Sequence, residues 1–460
     1  MKSLHLIRSV LRFSPVLGAF WIVYSYALFF FVAPLYDMNP DYFDYYSLTH
    51  RWLQGDWGNY EGVLIDLPLG LPAILYVQKW LGLSSLALIL VFCLTLLISY
   101  WFLARRLVQY RGWAGGLSAL FLALFLTDGE SMRQFTSLMP DAPYVLVLLW
   151  TLFFLLGLLQ GKHPHRETIL FALFALLLPV FRSNGIGIFP VLLALGIGLW
   201  MKRRFLAHTL FKSMGVLLVC LIGLSFLAVG YVNYGNPYRI LTVLGQRPAP
   251  KKIHQESNPK PKKRASCLNT YYLYSFSLDR SQFFLNQIPT RIHKHLMYKK
   301  TSEEANYGMY DGASPVPPAW RTMVQQEFDA LAPKFNLNAQ RPSERIKSVQ
   351  LSRTALLLYH AVYRFYSMVF NSAVSLFLFY GLSLLFLFKS FRSSNLLSFE
   401  IAVLAVFFSM VAVLLVGSGL SLPRYAFPTD LLPILLLPLL YANTAHPFIQ
   451  RWIIALRLRR

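Results

Sequence analysis

Apolar runs of close to twenty residues alternate with short polar turns along most of the chain. A run of that length, folded as a helix, spans the hydrocarbon core of a bilayer. The pattern predicts about ten spans, near residues 14–33, 82–103, 113–128, 141–160, 168–182, 184–201, 210–232, 355–388, 396–417 and 427–444. The eighth run is too long for one simple span. Arg353, His360 and Arg364 punctuate its first half, which reads as an amphipathic helix on the outer surface. The fold class expected is an all-α polytopic membrane protein.

Polar stretches divide this pattern. A membrane region over 1–232 contains about seven spans and the outer loop 35–81. A large outer loop or small membrane-surface domain follows over 233–352, and a C-terminal membrane region of about three spans covers 353–460. The large loop opens on two lysine-proline stretches, Arg247 to Lys252 and Pro259 to Arg264, whose composition reads as flexible. The N-terminal run is longer than a signal-peptide core and ends in bulky residues, so it reads as a retained first helix.

Composition sharpens the picture. The 460 residues are 56% hydrophobic and only 14% charged, against about a quarter in soluble domains. The formal charge of +23 is read as membrane-facing positive charge and contact with anionic lipid, with no nucleic acid as partner. With the N-terminus inside, the inner turns carry Arg105, Arg106 and Arg111, then Lys162 and Arg166. Lys202 to Arg204, Lys389 and Arg392, and the C-terminal arginines follow. The short outer loops carry few cations, namely Arg51, Lys79, Arg133, Arg182 and Arg424. This asymmetry predicts both termini in the cytoplasm. Of three cysteines, Cys93 and Cys220 lie in apolar runs and Cys267 stands alone, so no disulfide or metal spacing emerges. His163 and His165 share a turn without a third ligand.

Candidate chemistry gathers on the outer side. The first outer loop holds Asp37, Asp41 and Asp44 within eight residues, behind an Asn39-Pro40 helix start. Tyr42, Phe43, Tyr46, Trp52 and Leu53 give this helix an apolar side, expected to lie on the bilayer. One dipole accounts for a first-turn acid; three crowded carboxylates point to a cation or a catalytic task. Glu61 and Asp66 follow and read chiefly as solvated acids, with Glu61 and Asp37 as candidate ligands for a divalent cation. The second outer loop, from Asp128 through Glu130 and Arg133, leads to Pro140-Asp141 at the start of a span. Arg182 and Arg424 close the outer ends of two further spans. Each acid or arginine alone is explained by the helix dipole or by snorkelling to headgroups. Together they suit an anionic substrate attacked with general-base help, because the arginine fork matches phosphate.

Five short motifs resemble those of the GT-C glycosyltransferases, the superfamily of protein O-mannosyltransferases and lipid A aminoarabinose transferases. They are Asp41 with Tyr45 and Trp52-Leu-Gln-Gly55, Leu67-Pro-Leu-Gly-Leu-Pro72, Pro140-Asp141, Phe181-Arg182-Ser-Asn-Gly185, and Pro423-Arg424-Tyr425. The resemblance implies a polyprenyl-phosphate-linked sugar donor, an inverting transfer on the periplasmic face of a bacterial inner membrane, and a glycan, lipid or protein acceptor. It makes Asp41 the general base, with Asp44 and Asp141 as further catalytic candidates. Arg182, Arg424, Tyr425, Arg51 and Tyr45 become the substrate and phosphate candidates. Two departures stand out: Tyr42 occupies the place of the second acid in the usual Asp-Glu pair, and no soluble domain follows the last span.

Two other classes compete. A transporter or flippase of lipid-linked glycan favours ionisable residues at the membrane midplane and internal repeats; the reading finds neither, its acids sitting at outer ends. A polysaccharide polymerase or ligase places essential residues in the large loop, with Arg291, His293 and His295 as candidates.

Overall fold

The computed structural model describes residues 11–32, 45, 49, 52–53, 70–136, 138–161, 164–202, 210–212, 215, 358–359, 361–362, 365–366, 373–393, 397–417 and 423–447. Asp37, Asp41, Asp44, Arg51, Glu61 and Asp66 lie outside them, as do the large loop 233–352 and both expected domain boundaries. Among the described residues the fold is helical, with no strand.

The helices are α1 (Ser14–Val32), α2 (Gly70–Trp80), α3 (Ser85–Arg111), α4 (Trp113–Leu126), α5 (Gly129–Thr136) and α6 (Asp141–Gln160). After them come α7 (Pro164–Phe181), a 3-10 turn (Ser183–Gly187), α8 (Ile188–Lys202), α9 (Ala373–Arg392), α10 (Phe399–Gly417) and α11 (Pro423–Asn443). α3 runs past the apolar stretch that predicts it, because Arg106 and Arg111 continue the helix and find carboxylates on neighbouring helices. Its start is capped by the Ser84 hydroxyl, which accepts from the Ala87 amide. Gly112, at φ 55°, breaks the chain between α3 and α4.

α6 is the central helix. It packs along α7 most extensively and also meets α3, α5, α10 and α11. Its side chains are apolar and buried almost all round, as expected of a helix enclosed by others. α4 joins the second layer of contacts, against α1, α3 and α11. Close approach needs small residues: a Cβ at Gly115 would stand 1.9 Å from the Leu107 carbonyl oxygen, so α3 and α4 touch backbone to backbone there.

The outward faces are as apolar as the inward ones. On α3, Ile89, Phe92, Leu96 and Leu103 are buried while Leu90, Leu94, Ile98 and Phe102 are exposed. Phe13, Phe20, Leu384 and Phe388 are likewise exposed on α1, its approach, and α9. A helix on a protein in water turns polar residues outward. Among the described residues two helices, α3 and α6, are long and apolar enough to cross a membrane. These features are compatible with a membrane protein.

Candidate functional site

Chemistry-bearing residues collect where α6 begins and α7 ends. The chain enters α6 through Leu138, buried at φ +53°, a conformation uncommon for a residue with a Cβ. Pro140 precedes the helix and Asp141 opens it, its carboxylate at the positive end of the helix dipole. On the other side, Pro179 lies inside α7, near the point where the helix stops. Arg182 then adopts extended backbone, at φ −151° and ψ 141°. Its amide still donates to the Leu178 carbonyl at 3.1 Å, and its own carbonyl accepts from the Gly185 amide at 2.9 Å. Gly185 must be small, because a Cβ would come within 2.4 Å of the Leu178 backbone.

This turn carries the guanidinium back to α6. Arg182 Nη1 pairs with Asp141 Oδ1, and both side chains are buried. Such a pair keeps each charge neutralised in a region of low dielectric; removing one partner strands the other. It also holds the guanidinium in place against α6.

The neighbouring motifs pack onto the same corner. Gly70, the first residue of α2, lies so close to Phe181 that a Cβ would meet the ring at 2.4 Å. Thr49 Oγ1 donates to the Pro72 carbonyl at 3.3 Å and to the Tyr45 carbonyl at 2.9 Å. The Trp52 ring meets Tyr76 of α2 edge-on, at 6.4 Å between centroids. Tyr45, Thr49 and Trp52 are each helical and buried, and their spacing of four and three is that of residues sharing one helix face. Leu53, read from the sequence on the same apolar side as Trp52, is exposed. The structure thus brings Tyr45, the Gly70-Leu-Pro72 segment, Asp141 and the Phe181-to-Gly185 turn together around α2, α6 and α7.

A polar rim continues across α4 and α5. The Asp128 carboxylate accepts the Ser131 amide at 2.8 Å and so caps α5. Thr127 ties three segments: Trp21 Nε1 donates to its hydroxyl at 3.0 Å, and the Tyr359 hydroxyl donates to its carbonyl at 2.8 Å. Tyr26 donates to the Leu126 carbonyl at 3.2 Å. Glu130 and Arg133 lie in α5, and Arg424 and Tyr425 in the first turn of α11.

Several polar residues went unread in the sequence. Asp430 lies in α11, seven residues after Pro423 and so roughly 10 Å along the helix, and it is buried. This corrects the reading that the acids sit only at outer ends. At the opposite end of the bundle Arg106 grips Glu167 with both nitrogens, at 2.8 and 3.2 Å, and donates to the Phe153 carbonyl at 2.8 Å. Its guanidinium also stacks over the Phe153 ring at 3.9 Å. Glu400, fully buried, accepts from Tyr110, Arg111 and Asn443 at 2.9, 3.1 and 2.9 Å. Among the described residues no three His, Cys, Asp or Glu side chains gather as a metal-ligand set; the candidate ligands Asp37 and Glu61 lie outside them. His165, at the start of α7, is exposed.

No protein-family model matches the chain, and no curated protein matches it.

Proposed function

We propose that this chain is an integral membrane glycosyltransferase of the GT-C type. It moves a sugar from a polyprenyl-phosphate donor to a hydroxyl on a lipid, glycan or protein acceptor, with inversion. About ten helices span the bilayer, both termini face the cytoplasm, and the site opens to the periplasmic face of a bacterial inner membrane. The observation that carries this reading is the buried Asp141–Arg182 pair at a corner also formed by Gly70 and Phe181. Three of the five resemblance motifs, widely separated along the chain, contribute to that corner, and Tyr45 of a fourth packs nearby.

The chemistry follows from these groups. A polyprenyl donor cannot leave the bilayer cheaply, at about 0.8 kcal/mol per buried methylene, so the site must lie at the membrane surface. The acceptor oxygen attacks the anomeric carbon as the bond from that carbon to the phosphate oxygen breaks. Asp41 takes the acceptor proton, a contribution of roughly 10²–10⁴ in rate. The electron pair of the broken bond leaves with the phosphate, whose growing charge is met by Arg182, held in position by Asp141. Arg424, Tyr425 and Arg51 complete the phosphate side, and Asp44 or Asp37 is the partner acid. A divalent cation at Asp37 and Glu61 would add positive charge on the same face.

Cells expressing the wild-type chain or Asp41→Asn test this reading. Mass spectrometry of their surface glycans should find a sugar present only with the wild type, and the matching polyprenyl-phosphate sugar should accumulate with the variant. Identical glycans from both would refute it.

Asp430 favours a second reading, a transporter or flippase of lipid-linked glycan, since an acid one-third of the way along an apolar helix marks ion or substrate paths. Uptake or lipid flipping by reconstituted wild type, abolished in Asp430→Asn, would replace the transferase reading.

A further inference from the structure

Far from Asp141, the inner ends of α3, α9 and α11 meet in a corner whose charges do not cancel. Glu400 is its acid, and it is spent: Arg111, Tyr110 and Asn443 fill its oxygens inside the protein. Lys389 reaches over this network and donates to the Asn443 carbonyl at 2.7 Å, which fixes its ammonium at the surface. One turn further along α9, Arg392 is exposed beside it. No carboxylate among the described residues pairs with either. The two cations are flanked by Phe388 and Phe391, which are 69% and 65% exposed.

Cations in a last turn complement the helix dipole. Here the two cations also end the exposed apolar face of α9, formed by Leu384, Leu385, Phe388 and Phe391. Exposed apolar side chains next to paired cations suit a membrane interface, where the apolar groups enter the acyl boundary and the cations meet anionic headgroups.

We infer that the Lys389–Arg392 corner binds the phosphodiester headgroup of an anionic phospholipid. Lys389 and Arg392 hold the phosphate and Phe388 and Phe391 lie along the acyl chains. The inference rests on the bilayer reading and is independent of sugar transfer.

The full chain is first floated with neutral phosphatidylcholine vesicles, then given an equal mixture of phosphatidylcholine and phosphatidylglycerol and examined by native mass spectrometry. The wild type should retain phosphatidylglycerol in preference. Lys389→Gln with Arg392→Gln should lose that preference, by roughly fivefold for each charge removed. Lys389→Arg with Arg392→Lys should restore it. Arg166→Gln, at another exposed cation on the same end, should match the wild type. Inorganic phosphate should not displace the lipid. A double glutamine variant that retains phosphatidylglycerol as the wild type does, or displacement by inorganic phosphate, overturns the inference. A chain that does not float overturns the bilayer reading beneath it; one that floats but shows no preference overturns this inference alone.

Discussion

Two arginine–carboxylate pairs lie at opposite ends of the bundle, Asp141–Arg182 buried and Arg106–Glu167 largely so, and their settings differ. Arg106 and Glu167 both sit on regular helix, with the guanidinium chelated, stacked on Phe153 and bonded to its carbonyl. Asp141 is the first residue of its helix and Arg182 lies just past the end of α7, among Leu138 at positive φ, a proline within α7 and a 3-10 turn. Irregular backbone at a buried ionic pair concentrates where a protein positions groups for a task. Regular helix carrying a chelated pair is what interhelical bracing requires. Under the proposed function the first pair is a brace and the second belongs to the site, and the expected effects of substitution differ between the two.

The largest effect confined to stability belongs to the brace. Arg106→Ala leaves Glu167 buried without its cation and should cost about 3–5 kcal/mol, read as a lower Tm of the purified chain. The transfer rate per folded molecule should stay unchanged. Arg182→Gln and Asp141→Asn should lower Tm as well, since each leaves a buried partner uncompensated, and should in addition lower that rate by roughly 10²–10³, the scale for losing one preorganised charge contact, measured in vesicles with undecaprenyl-phosphate sugars. Next come the glycines. Gly157→Ala pushes a methyl to within 2.4 Å of the Arg106 and Glu167 side chains, and Gly185→Ala meets the Leu178 backbone at the same distance. Each should cost about 1–3 kcal/mol by overpacking, but only Gly185→Ala should slow transfer as well. The smallest effect is Thr49→Val, which removes the donor to Pro72 and should cost about 0.5–1.5 kcal/mol, with a slight fall in rate as α2 loosens.

How much of this was legible in the sequence depends on the range of the physics involved. Helical class follows from run length and composition, and the helix opening at Asp141 from a proline, an acid and an apolar run side by side. The apolar span near 82–103 ends before Arg105, while α3 continues to Arg111 on contacts with Glu167 and Glu400. Those partners are 61 and 289 residues away from Arg106 and Arg111, and no local pattern records such pairings. The sequence places Asp141 and Arg182 on one side with the other acids and arginines; which acid meets which arginine depends on the turn at Gly185. Asp430 escaped because one acid among leucines barely alters the mean of a span. The burial of Tyr45 and Thr49 was hidden by a first-loop face assigned from apolarity, whereas Thr49 turns inward for its hydrogen bond to Pro72.

The most direct measurement is the initial rate of sugar transfer from undecaprenyl-phosphate donors by reconstituted, folded Arg182→Gln and Arg106→Gln protein, each against wild type. The account predicts a rate lower by roughly 10²–10³ for the first and an unchanged rate for the second. Equal rates from both variants, or no transfer by the wild type with any donor, would contradict it.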